Sequence, residues 1–204
     1  MGFPGRFGRD ATSLASFLRR ASVFTVLAAF VAANPAAQTT RTGFDLNGKA
    51  VDPFQASGGK LVVLLFVRTD CPISNRYAPA IQKMSTANAS SAKFWLVYPD
   101  KNESAEKIRA HDREYGYTIG SLRDPDHSLV KLAQATITPE AAVFTSDGRL
   151  VYHGRIDDWY VEMGRSRTAP TTHELNDAIQ AAAKNPDARQ PTVPSVGCYI
   201  SDLS

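Results

Sequence analysis

The chain is poor in cysteine: its 204 residues carry only Cys71 and Cys198, and no C-x-x-C pair. Any thiol chemistry therefore rests on those two positions. A charge bias is also missing once the start is set aside. Residues 1–33 hold Arg6, Arg9, Arg19 and Arg20 against Asp10, which accounts for the whole formal charge of +3. The remainder is neutral, so the balance gives no reason to expect a nucleic-acid partner. The four histidines, His111, His127, His153 and His173, show no close ligand spacing, so neither a metal nor another cofactor is expected. There is no internal repeat or low-complexity segment, and the composition excludes a disordered, collagen-like or membrane-bundle protein. With 43% hydrophobic residues, one well-packed domain is expected.

Arg19 and Arg20 precede Ala21 to Ala33, a short uncharged stretch of small and apolar residues. It falls below the roughly 20 residues of a membrane span. A positive start, a short apolar middle and small residues at the exit match a secretory signal. Residues 1–33 are thus expected to be a signal peptide, with an uncleaved anchor as the alternative. Residues 34–42 form a polar leader, 43–185 the folded domain, and 186–204 a tail carrying Cys198. An exported, periplasmic or otherwise extracytoplasmic location follows, with no stable membrane span after processing. In such a compartment a cysteine pair can stay oxidised.

The mature chain reads as alternating strands and helices. Asn47-Gly48 predicts a two-residue hairpin between Phe44–Leu46 and Lys49–Val51. The continuous apolar run Leu61–Val67 suits a central strand covered on both faces. Tyr77, Ile81 and Met84 then recur at helical spacing, predicting one helix from Pro72 to about Ser85. Strands over Phe94–Tyr98 and Ile119–Leu122 flank a helix opened by the cap Ser104, and a short helix follows around Leu129–Leu132. Ala141–Thr145 and Leu150–His153 flank the turn Asp147-Gly148 as an antiparallel hairpin. Thr171 and Glu174 form a capping box for a last helix through Ala183. Parallel strands joined by helices and closed by a hairpin make a layered α/β domain. With a cysteine directly after the first central strand, this is a thioredoxin-like fold: a central mixed sheet flanked by helices, with an N-terminal β-hairpin.

Cys71 is placed where a strand ends and a helix begins. Amides of a first helical turn are unpaired and favour negative charge, which assists loss of the thiol proton. Pro72 suits a first helical position, and Arg68 and Arg76 would add positive potential. Ser74 stands where a C-x-x-C motif has its second cysteine, so Cys71 acts alone or with Cys198. Three readings of Cys198 stay open. It is a resolving thiol in a flexible tail, a permanent disulfide partner contributing about 4–5 kcal/mol in the chain-entropy model, or an unrelated thiol. The resemblance to thioredoxin folds implies that Thr138-Pro139 is cis and shapes a partner groove, with Ser74 and Arg76 as further candidate substrate-binding residues. Topology returns Gly154–Tyr160 to the Cys71 edge, making Asp157 a candidate proton acceptor or hydrogen-bond anchor and Trp159 and Tyr160 a candidate binding surface, with a capped, solvated loop as the alternative.

The segments TDCPISNRY (Thr69–Tyr77), LRDPD (Leu122–Asp126), TPEAAVF (Thr138–Phe144), GRIDDWY (Gly154–Tyr160) and VGCYI (Val196–Ile200) together resemble an exported redoxin-domain subgroup of the thioredoxin superfamily. That group also holds the alkyl hydroperoxide reductase/thiol-specific antioxidant proteins. The resemblance implies a thiol-based oxidoreductase: disulfide exchange or peroxide reduction, with Cys71 as nucleophile and Cys198 resolving. Its partners would be a thiol or disulfide protein or a peroxide, together with an external reductant. Peroxidases of the group carry Thr or Ser three residues before the cysteine, where this chain has Arg68, and an arginine where it has Thr138-Pro139. The alternatives are a copper-handling module using Cys71, Cys198 and His153, since soft thiolates suit Cu(I), or a non-catalytic redoxin binding domain.

Overall fold

The computed structural model describes residues 1–2, 41–201 and 203. Beyond Met1 and Gly2, the expected signal peptide lies outside the described residues. A short hairpin, β1 (Gly43–Phe44) and β2 (Ala50–Val51), comes first. Its turn differs from the expectation. Asp45 accepts the Gly48 amide, and its carboxylate accepts the amides of Asn47 and Lys49, so the loop spans Asp45–Lys49 with Gly48 alone at positive φ. The aspartate outbids a two-residue turn by supplying those bonds itself.

Strand β3 (Leu61–Phe66) is wholly buried, as a continuous apolar run should be. Its side chains alternate between two cores. Leu61, Val63 and Leu65 pack with Ile73, Tyr77, Ile81, Ile108, Leu175 and Ile179. Val62, Leu64 and Phe66 pack with Phe54, Leu122, Leu129, Phe144 and Ile200.

The single expected helix after Cys71 is two: α1 (Pro72–Arg76) and α2 (Ala78–Ala87). Pro79 has no amide to give the Asn75 carbonyl, and its ring crowds the preceding turn, so the helix restarts after Tyr77. Strand β4 (Ala92–Tyr98), helix α3 (Ala105–Glu114), strand β5 (Gly120–Arg123) and helix α4 (Ser128–Ala133) follow. Ser104 accepts the Lys107 amide at 3.2 Å, as a cap should. The two-residue β6 (Ile137–Thr138) leads through Pro139 into β7 (Glu140–Phe144), which turns back as β8 (Leu150–Gly154). A small hairpin, β9 (Tyr160–Glu162) and β10 (Arg165–Ser166), precedes helix α5 (Glu174–Lys184). The main sheet runs β2-β1-β5-β4-β3-β7-β8, with β3, β4 and β5 parallel and the other pairings antiparallel.

Two further expectations are corrected. The capping box of α5 does not form, because Asp158 takes the Thr171 hydroxyl and amide while Glu174 is engaged by Arg155 and Thr172. Nor does the tail hang free. Gln190 and Arg155 link it to β8 through Val151 and Val193, and its end forms β11 (Cys198–Tyr199), antiparallel to β6. Ile200 is 6% exposed and belongs to the second core. Burying such a side chain contributes about 2 kcal/mol, a factor of about 30 in favour of docking. Among the described residues no helix is long and apolar enough to cross a membrane.

Asp124 generates a pH prediction. Its buried carboxylate accepts the Leu129 and Val130 amides at 3.0 and 2.9 Å at the start of α4. Burial nevertheless dominates those bonds and pushes its pKa up to about 6. The folded protein therefore holds this proton at pH values where the unfolded chain, at 3.8, has released it. The contribution of Asp124 to stability rises as pH falls from about 6 to about 4. The unfolding free energy of wild type minus that of Asp124→Asn, measured by urea titration across this window, should increase toward acid. A flat difference would contradict the assignment.

Candidate active site

Cys71 is the N-cap of α1, completely buried, at the sheet edge where β3 ends. Its position is set from both sides. On the approach, Glu103 accepts the Thr69 amide at 2.8 Å and the Thr69 hydroxyl at 2.5 Å. On the exit, Asn75 donates to the Thr69 carbonyl at 3.1 Å, and its own carbonyl lies 2.8 Å from His111 Nε2. Tyr98 meets the other ring nitrogen at 2.9 Å. The strand-to-helix loop is thus tied to α3, and Cys71 is left little freedom.

Two other segments converge on its sulfur. The Cys71 thiol lies 3.3 Å from the Thr138 carbonyl oxygen, to which it can donate. The Thr138–Pro139 peptide is cis. From β11, Cys198 donates its S–H to Cys71 Sγ at 3.0 Å, and the two remain unbonded thiols. Glu140 Oε2 accepts the Thr136 and Ile137 amides at 2.8 and 3.2 Å, fixing β6 against which β11 pairs.

The two thiols are pushed in opposite directions. Burial raises the Cys71 pKa, but the bonds from Cys198, the Ser74 hydroxyl and the Ser74 and Ile73 amides outweigh it. The net effect lowers Cys71 below an ordinary thiol. Ser74 is wholly buried, and its hydroxyl has no hydrogen-bond partner among the described residues, which leaves it available to a Cys71 thiolate. Because α1 has only five residues, individual amides rather than a long helix dipole carry this effect. Cys198 is pushed up to about 11 by burial, by its bond to Cys71 and by the Cys71 charge. Of the two, Cys71 is the more readily ionised and Cys198 is the donor.

The expected residues divide into two groups. Cys71, Cys198, Ser74, Thr138 and Pro139 come together. Arg76, Asp157 and Trp159 form a neighbouring cluster, and among the described residues none hydrogen-bonds either sulfur. Asp157 accepts the Tyr77 hydroxyl at 2.6 Å and the Trp159 amide at 2.9 Å, so it anchors its loop. The Arg76 guanidinium sits 5.0 Å over the Trp159 ring, and Tyr77 meets that ring edge-on at 5.4 Å. Arg68 is held by Asp70 at 3.1 Å and Asp100 at 3.4 Å. Neither arginine is among the leading influences on the Cys71 pKa, while the Arg68 charge lowers that of Cys198. His153 lies 3.7 Å from Glu140, and among the described residues no group of three His, Cys, Asp or Glu side chains could hold a metal ion.

Glu103, Asn75 and Glu140 were not singled out from sequence. For Glu103 a signal existed: it follows the end of β4, and parallel strands deliver their carboxyl ends to one edge of the sheet.

A profile of the AhpC/TSA family matches residues 32–153, more than half of the chain. The chain belongs to the AhpC/TSA family. The solved structures that resemble this AhpC/TSA member share its thioredoxin-like fold. A hypothetical protein of Sinorhizobium meliloti 1021 is 24% identical with a TM-score of 0.65, covering 80% of this chain and 91% of its own. An uncharacterized conserved protein of Geobacillus kaustophilus is 21% identical with a TM-score of 0.67, covering 80% and 89%. The MTB protein dsbF, in mixed oxidized and reduced forms, is 18% identical with a TM-score of 0.51, covering 69% and 92%. No protein of curated function matches the chain.

The opposed shifts predict how the thiolate responds to its donor. Followed by thiolate absorbance against pH, Cys198→Ala should raise the Cys71 pKa, because the burial that remains disfavours the anion. Cys198→Ser, which keeps a donor, should retain much of the lowering. Equal Cys71 titrations in both variants and wild type would mean that the Cys198 bond has no such role.

Proposed function

We propose that this AhpC/TSA-family protein is a thiol oxidoreductase whose working couple is the dithiol and disulfide of Cys71 and Cys198. The observation that carries this reading is the pair of sulfurs 3.0 Å apart with opposite proton affinities. A nucleophile and its resolving thiol need that contact and that asymmetry. In the reaction, the Cys71 thiolate attacks one sulfur of a substrate disulfide. The substrate S–S bond breaks, and the departing thiolate takes a proton. Cys198 then loses its proton and attacks Cys71 Sγ, releasing the second substrate thiolate. The substrate gains two electrons, the protein is left with a Cys71–Cys198 disulfide, and an external thiol reductant restores the dithiol.

The high pKa of Cys198 does not obstruct the second step. Two of its causes, the bond to Cys71 and the Cys71 charge, vanish once Cys71 is in a mixed disulfide. Cys198 becomes easier to ionise when it is needed. Disulfide exchange is favoured over peroxide reduction because the Arg68 guanidinium is committed to Asp70 and Asp100. The group opposite Cys71 is a carbonyl acceptor, which offers no donor to a departing hydroxide. Residues 1–33 support export on sequence grounds, and in an oxidising compartment the couple would rest as the disulfide.

Reduced protein given one equivalent of a small disulfide should lose two protons by intact mass. Cys71→Ser should lower disulfide turnover on the order of 10³-fold or more. Cys198→Ala should instead accumulate the mixed disulfide on Cys71. A wild-type protein that stops at a mixed disulfide would refute the two-cysteine couple.

A further inference from the structure

The edge beside Cys71 already has an occupant. The two-residue β6 ends at Thr138, whose carbonyl faces the Cys71 sulfur, and its hydrogen-bonding edge is filled by β11. The pairing is antiparallel, Cys198 against Thr138 and Tyr199 against Ile137. It is extended by the Ile200 amide donating to the Thr136 carbonyl at 2.9 Å and by the Thr138 hydroxyl donating to the Cys198 carbonyl at 3.3 Å. This is an extended polypeptide added to a sheet edge, the geometry by which strands recognise strands. The fit is close. A Cβ at Gly197 would lie 2.1 Å from the Thr138 carbonyl oxygen, so only glycine lets the chain pass there. Ile200 anchors the far end in the second core, while Tyr199 between them is 78% exposed and holds nothing.

We infer that residues 197–200 act as a strap that excludes extended polypeptide from the Cys71 edge, so that the dithiol serves low-mass disulfides in preference to protein disulfides. The inference rests on the Cys71–Cys198 couple proposed above and adds the class of its substrate. A polypeptide presenting its disulfide as a strand needs the same β6 edge and must first displace the whole strap. A low-mass disulfide does not. Cys198 is only partly buried, and the inference requires that rotation of its side chain uncover Cys71 while the strand pairing stays in place. Gly197 and Ile200 are then specificity-determining residues that touch neither sulfur.

The test compares two substrates on the full-length, pre-reduced protein: glutathione disulfide, and an unstructured peptide carried as its disulfide-linked dimer. The variants are Ile200→Asp, which removes the anchor, and Gly197→Ala, which opposes the close approach by a different route should the first fail to fold. In each folded variant, amide exchange at Cys198–Ile200 should accelerate. Turnover of the peptide dimer relative to that of glutathione disulfide should rise about tenfold or more, because undocking raises the fraction of chains open to peptide, whereas looser placement of Cys198 slows resolution of both substrates alike. An unchanged peptide-to-glutathione ratio in variants whose strap amides exchange faster, with glutathione disulfide still turned over, would overturn the strap and leave the couple standing. No turnover of either substrate in any form would overturn the couple itself, and the strap's role with it.

Discussion

The contact between Cys198 and Cys71 joins residues 127 apart in sequence, and the site depends on it. A completely buried thiol should be a poor acid, since burial disfavours its anion. Here the sulfur is compensated by a second thiol, a hydroxyl and two amides, and the balance falls on the side of ionisation. Only one of those donors, Cys198, comes from outside the local strand-to-helix loop. The acidity of Cys71 is therefore a property of the tertiary structure, and it is tied to the docking of the C-terminal strand.

That dependence explains the effort spent on holding both sides still. Glu103 and Asn75 fix the loop before Cys71, and Glu140 fixes β6, the platform for β11. Glu103 is 2% exposed, and burial raises its pKa against the bonds from Thr69. A buried carboxylate accepting an amide and a hydroxyl is costly to misplace, because an unsatisfied one loses its solvation without return. The Tyr77–Asp157 bond and the Arg76–Trp159 stack do similar work for the segment after β8. Asp157 is a fastening in that segment, which is why it does not serve the sulfur as an acceptor.

The sequence made the fold legible because the signals for it are local. A continuous apolar strand, a cysteine followed by proline, and the order of strands and helices each occupy a few adjacent residues. The placement of Thr138-Pro139 opposite Cys71 followed from the resemblance to thioredoxin folds. The split of the first helix at Pro79 was also local, and the regular spacing of Tyr77, Ile81 and Met84 masked it. What stayed hidden were choices between competing partners. Thr171 had a cap pattern, but Asp158, distant in sequence, claimed its hydroxyl. The tail is rich in proline and reads as loose, yet one buried residue, Ile200, and one position without a side chain, Gly197, decide that it docks. Neither residue is conspicuous until the groove it fits is known.

Ser74 connects these features. In place of a second local cysteine it offers a hydroxyl, which supports the Cys71 thiolate but cannot form a disulfide with it. A resolving thiol, as proposed for Cys198, has then to come from elsewhere, and the edge at Thr138 is where an extended chain can bring one to the sulfur. A strand placed there supplies Cys198 and closes the edge in the same act. The loss of the short motif and the covering of the edge are thus one arrangement. A cysteine carried by a strand of β6 cannot reach Cys71 without occupying the site that an extended polypeptide would need.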